Sequence, residues 1–150
     1  MFNISELSGS LPIPPDALRI VHAAGINLVA DINVRVLDGI GLDDSPMTYK
    51  GKVYSEKYKK FRQGANPKKK SRQVTKRDLT WSGRMLEGVH ALKPEMIDES
   101  TARCIVTVTQ KQMLKALGQH EMTPWFGPSP KDLEAMKEQV EEMLAELTNK

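Results

Sequence analysis

The sequence predicts a small α+β domain: a small antiparallel sheet packed against two long helices, at about residues 15–38 and 130–148, with a long basic loop between them. Three observations lead there. Apolar residues recur at three-to-four spacing near both ends of the chain, as they do on amphipathic helices. Residues 103–109 read Arg-Cys-Ile-Val-Thr-Val-Thr, β-branched at every position after the cysteine, as a strand is. The basic residues gather in one stretch that has few apolar anchors. At 150 residues and 16.8 kDa the chain suits one domain, because a chain of this size buries roughly 70% of its unfolded surface.

Residues 1–14 are expected to form an extended arm, since Ser8, Gly9, Ser10, Pro12 and Pro14 discourage helix. Residues 15–150 then form the single domain. Pro15 and Asp16 suit a first helical turn, where a missing N–H is harmless and a negative charge meets the dipole. From Ala17 to about Leu37, Leu18, Val21, Leu28, Ile32 and Val36 recur around Gly25, with Ile20, Ala24 and Val29 widening the stripe. Gly39 and Gly41 end that helix, and Asp43-Asp44-Ser45-Pro46 forms a loop.

From about 46 to 78 only Tyr49, Val53, Tyr54, Tyr58 and Phe61 offer sizeable anchors, with a short helix around Ser55 to Arg62. Gly64 to Arg77 holds no large apolar residue except Val74, so a mobile basic loop that orders in a complex is expected. Leu79, Met85, Leu86 and Val89 line a short helix running to about His90. A short strand within Ala91–Ile97, the strand Arg103–Thr109 and a short helix Gln112–Gln119, ended near Gly118, follow. Thr123 to Pro128 is a rigid turn carrying Trp125 and Phe126. Ser129 is an N-cap with Pro130 at the first helical position and Asp132 placed to reach back. The last helix sets Leu133, Met136, Val140, Met143 or Leu144, and Leu147 on one face, and Glu134, Glu138, Glu141, Glu142 and Glu146 on the others.

Charge divides the chain unevenly. Lys50 to Asp78 holds twelve basic residues against Glu56 and Asp78, a local +10, which leaves −7 elsewhere in a chain of net +3. Such a distribution speaks to partners rather than fold. Other classes are disfavoured. The run Ile20 to Ala30, between Arg19 and Asp31, is too short to span a bilayer, and an N-terminus with Glu6 and three prolines does not resemble a secretory signal. One cysteine, Cys104, allows neither a disulfide framework nor a multi-cysteine zinc site within one chain. A cytosolic protein with no membrane partner is expected.

No chemistry emerges from the motifs. His22, His90 and His120 lie far apart without metal spacing, and Asp43-Asp44 and Asp98-Glu99 are neighbours that point apart in extended chain. Gly39-Ile40-Gly41 follows a helix rather than a strand, which a phosphate loop would not. No catalytic, cofactor-binding or metal-ligating residue is assigned, and no enzyme activity is expected. The basic candidates are Lys57, Lys59, Lys60, Arg62, Lys68, Lys69, Lys70, Arg72, Lys76 and Arg77. They suit phosphates of a nucleic acid, with aromatic rings to stack on bases. They equally suit an acidic protein surface, including the acidic last helix of a neighbouring copy. Trp125, Phe126, Tyr54 and Tyr58 are candidate partner-interface residues, because aromatics carry interface energy disproportionately; the alternative for the Trp125–Phe126 pair is a cap on the core.

The order of these features resembles the phage virion-morphogenesis, or tail-completion, family of head–tail joining proteins. Three segments carry the resemblance: Pro46 through Gly51 and Tyr54 to a Lys-rich stretch ending in Leu79-Thr80-Trp81-Ser82-Gly83-Arg84-Met85; the strand Arg103–Thr109 with the helix after it and Gly118-Gln119-His120; and Pro124-Trp125-Phe126-Gly127-Pro128-Ser129-Pro130-Lys131-Asp132-Leu133. With the helices around them they cover about residues 15–147. The chain departs from the family by carrying Thr123-Pro124 where members often place a basic residue. The resemblance implies a structural virion protein without catalysis. It would form a ring of its own copies, a hexamer, at the neck, joining completed tails to DNA-filled heads. Its neighbours would be tail and head-connector proteins, with DNA passing close by in the channel and assembly taking place in the host cytoplasm.

Overall fold

The computed structural model describes residues 16–64, 74–79, 84–98 and 101–148. The expected N-terminal arm and much of the loop expected to be mobile lie outside them. The chain is mixed α+β, and its described residues form five helices and two small antiparallel sheets. The helices are α1 (Ala17–Leu37), α2 (Glu56–Gln63), α3 (Arg84–Glu87), α4 (Gln110–Met122) and α5 (Pro130–Thr148). The strands are β1 (Val89–Ala91), β2 (Glu95–Asp98), β3 (Thr101–Arg103) and β4 (Val106–Val108).

α1 is the hub, packing against α5 and against β1, β3 and β4. Its Ala24, Leu28, Ile32 and Val36 enter one core with Met47, Met85, Leu86, Val89, Val106, Val108, Ala116, Trp125 and Met136. The helix is also long and apolar enough to cross a membrane by length and composition, as core helices of soluble proteins can be. Its close contact with the strands needs Gly25, where an added Cβ would stand 2.6 Å from Cys104 Sγ. Its end is a Schellman motif: Gly39 takes a φ of +77°, its N–H reaches Val36 O, and the Ile40 N–H reaches Arg35 O, both at 3.0 Å.

The β structure departs from expectation. Instead of one sheet there are two pairs, β1–β4 and β2–β3, set along one hairpin. The strand expected at 103–109 is broken at Cys104-Ile105. The Leu92 N–H still reaches Ile105 O at 2.7 Å, but three steps from Leu92 to Glu95 answer two from Ile105 to Arg103. Pro94 lies in that gap and has no N–H to give to a ladder. The irregularity leaves Cys104 buried, its Sγ donating to Leu92 O at 3.1 Å.

Three helices also differ. Of the helix expected from Leu79 to His90 the described residues hold α3, which stops at Glu87 because Gly88 turns the chain and its carbonyl accepts the Thr109 N–H at 2.9 Å, opening the β1–β4 pairing. α4 runs through Gly118 and stops at Thr123, whose hydroxyl donates to Thr48 O at 3.0 Å. α5 has the expected bounds, but Leu133 is 47% exposed. Asp132 holds the inward position there, and the buried face runs through Met136 with Val140 beside it.

Candidate functional site

Two buried ionic clusters order the surfaces on which a partner can act. The first centres on Arg35, a charge set among apolar positions of α1. Its Nε donates to Asp132 Oδ2 at 2.9 Å, and its Nη1 to Gly41 O at 2.7 Å. Its Nη2 spans Trp125 O (3.3 Å) and Gly127 O (2.6 Å). The Asp132 carboxylate also accepts the Ser129 N–H at 2.9 Å, while the Ser129 hydroxyl accepts the Asp132 N–H at 3.2 Å. This is the expected short capping box, with its acid shared between helix cap and guanidinium. One planar cation thus fastens the end of α1, the loop after it, the aromatic turn and the start of α5. Asp31, facing the same carboxylate, has its pKa raised by burial and then by the Asp132 charge.

The aromatic turn is consequently rigid. Trp125 is 0% exposed, its Nε1 donates to Ala116 O at 3.3 Å, and its ring meets Phe126 edge-on with centroids 5.4 Å apart. His120 Nδ1 accepts the N–H groups of Trp125 (3.3 Å) and Phe126 (3.2 Å). Trp125 is therefore a core residue and offers no surface to a partner, which corrects its place among the interface candidates. Phe126 is half-buried and packs on the core.

The second cluster lies inside the basic stretch. Arg62, 1% exposed, donates from Nη2 to Asp78 Oδ1 at 2.5 Å and from Nη1 to Tyr54 Oη at 2.8 Å. The Tyr54 hydroxyl donates to Asp78 Oδ1 and accepts the Asp78 N–H, both at 3.3 Å. Burial and then the Asp78 charge push the Tyr54 phenol up to about 12. Arg62 and Tyr54 are thus interior, and neither is a surface contact as the sequence suggested. A buried guanidinium needs its acid within reach. Here the partner is one of only two acids in the stretch, and their meeting anchors both ends of a segment that looked unanchored.

The remaining basic candidates divide. Lys57 and Lys60 are exposed on α2, while Lys59 pairs with Glu56 at 2.7 Å and Lys76 with Asp38 at 2.9 Å. The Arg77 guanidinium lies 5.8 Å from the centroid of Tyr49, and Lys50 Nζ lies 5.4 Å from the same ring. Tyr58, half-buried, sits 5.1 Å from Tyr54 and 6.2 Å from Phe61, ring centre to ring centre. Lys68, Lys69, Lys70 and Arg72 lie outside the described residues. The outcome is a fixed basic surface with exposed aromatic edges, built on α2 and the Tyr49–Lys52 turn.

Of the groups considered for chemistry, His90 Nδ1 is 2.9 Å from Gly88 O, and burial raises the Cys104 thiol. The Asp43 carboxylate is lowered by hydrogen bonds from the Ser45 hydroxyl and N–H. Among the described residues no group of three or more His, Cys, Asp and Glu side chains converges as a metal cage requires. No family model, no curated protein and no solved structure matches this chain.

Arg35, Asp78 and His120 are the residues that sequence reasoning missed. Arg35 carried one signal, a charge three residues after Ile32 and one before Val36, inside the apolar stripe.

Proposed function

We propose that the chain is a structural subunit of a phage particle, completing the tail and joining it to the DNA-filled head as a ring at the neck. The observation that carries this reading is the state of the run Pro124–Leu133, the most distinctive segment of the family resemblance. Around its buried tryptophan, the Arg35–Asp132 pair makes it a rigid corner from which α5 projects. Such a corner is what a subunit needs to present neighbours with repeated, fixed geometry. Exposed apolar surface adds support: Leu114 is 87% exposed and Leu117 lies near it on α4, while Ile26, Val34 and Leu37 share the outer face of α1. Apolar surface of this kind marks contact sites when it is contiguous. The particle rather than a substrate is the destination of the fold.

The test is genetic and visual. Particles assembled without this protein accumulate as separate full heads and finished tails, and adding the purified chain joins them. Normally joined particles in its absence refute the assignment. The competing nucleic-acid role has lost Arg62 to the interior; DNA binding that weakens steeply with added salt is the result that would favour it.

A further inference from the structure

The two charged faces of this chain are complementary to each other, and they lie on different elements. Along α5, Glu134, Glu138, Glu141, Glu142 and Glu146 are exposed and follow one another at helical spacing. Lys137 answers only Glu141, at 3.9 Å. The other face comprises the exposed Lys50, Lys52, Lys57 and Lys60 around the exposed rings of Tyr49 and Phe61, the latter 57% exposed. Its backbone is held in place by the buried Arg62–Asp78–Tyr54 cluster, so little ordering remains to be done on binding. α5 packs on α1 in its own chain, which leaves its acidic side turned outward.

We infer that the acidic face of α5 in one copy docks on the basic, aromatic face of α2 and the Tyr49–Lys52 turn in the next. Four lysines meet four glutamates that have no ion pair among the described residues, Glu134, Glu138, Glu142 and Glu146, with Phe61 as an apolar anchor on the basic side. A second copy is the occupant this complementarity selects, because one chain supplies both halves in matching number. The contact is heterologous, and each pair keeps one face of each kind free, so it propagates until it closes. Only that closure into a ring rests on the proposed function; the pairwise contact stands without it.

The size of the contact decides its strength. α5 is about 28 Å long at 1.5 Å per residue and presents a strip about 10 Å wide. That footprint of about 300 Å² is well short of the roughly 800 Å² per partner of a stable pair. Isolated pairs are therefore weak and salt-sensitive, and strength comes from closing many contacts at once.

Charge exchange tests this in the full chain. Sedimentation velocity over a concentration series, at low and at high salt, is read for the natural protein and three variants: Lys57→Glu with Lys60→Glu, Glu138→Lys with Glu142→Lys, and all four together. Circular dichroism checks that each is folded. The natural chain is expected to associate at low salt and dissociate at high salt. Each two-site variant alone associates at least about tenfold more weakly, since like charges then face each other. The four-site variant recovers self-association, and so does an equimolar mixture of the two two-site variants. A natural chain that stays monomeric throughout overturns the inference, as does association unchanged in either two-site variant. DNA binding lost only with the lysines, while association ignores the glutamates, also overturns it and assigns the basic face to nucleic acid. If the exchange works but particles lacking the protein are joined normally, the ring at the neck fails and the contact remains.

Discussion

Replacing Arg35 with Met keeps most of the apolar stem and removes the guanidinium. The Asp132 carboxylate then stays buried with only the Ser129 N–H beside it, and the carbonyls of Gly41, Trp125 and Gly127 lose a donor. Breaking one side of a buried ion pair costs about 3–5 kcal/mol. The surviving Ser129 bond argues for the lower end, about 3 kcal/mol. That is a large part of the 5–15 kcal/mol that typically holds a domain together. For a chain of this length it corresponds to a fall in Tm of about 6–12 °C. Urea unfolding followed by far-ultraviolet circular dichroism reads it directly. Adding Asp132→Asn to Arg35→Met removes the stranded charge but keeps an acceptor for the cap, so the double variant should recover about 2 kcal/mol relative to the sum of the singles. Arg35→Lys should be nearly as damaging as Met, because one ammonium cannot span an acid and three carbonyls in a plane. A loss below about 1 kcal/mol for Arg35→Met, or strict additivity in the cycle, would sink the idea that this cation clasps the fold.

Two further perturbations probe the interior. The Tyr54 phenol is raised to about 12 in the fold from an unfolded value of 10, so the folded chain holds that proton more tightly. The resulting stability is fully present below pH 10 and is lost as pH rises toward 12, by up to about 3 kcal/mol. Tyr54→Phe should abolish that alkaline loss while costing about 1–2 kcal/mol at neutral pH; an unchanged alkaline unfolding curve contradicts the account. Gly25→Ala drives a Cβ against Cys104 Sγ, at 2.6 Å, and should cost about 1–3 kcal/mol despite alanine's better helix propensity. Adding Cys104→Ala should restore most of the loss, and thermal unfolding of the three proteins decides it.

The long helices were legible because their information is local. Periodicity in α1 and α5 and the Ser129–Asp132 cap lie within a few residues of the backbone they govern. The interruption at Cys104 was not, since the β-branched run looks uniform and the irregularity is imposed by Pro94 on the opposite strand. Arg35 was equally opaque. Its acid lies 97 residues away and two of its carbonyls 90 and 92, so only the folded chain brings them together. Asp78 read as one stray acid in a basic run, although Arg62, the residue it neutralises, is only 16 positions away. The turn with Trp125 was visible, but its burial depends on Ala116 of α4, and no local pattern sets whether such a ring faces a partner or the core.

The clasp around Arg35 also has a bearing on when this protein becomes finished. During synthesis, α1 leaves the ribosome long before Asp132 exists. Until then its guanidinium has Gly41 O within six residues, but no acid and no aromatic turn. Closing a loop of 97 residues costs roughly 2.5 kcal/mol more than closing one of six, so the junction forms late, and only on chains translated past Asp132. A prematurely terminated chain would have to bury a bare cation or leave its core open. The same ionic pair that fixes the corner therefore makes synthesis through the first turn of α5 a condition of folding.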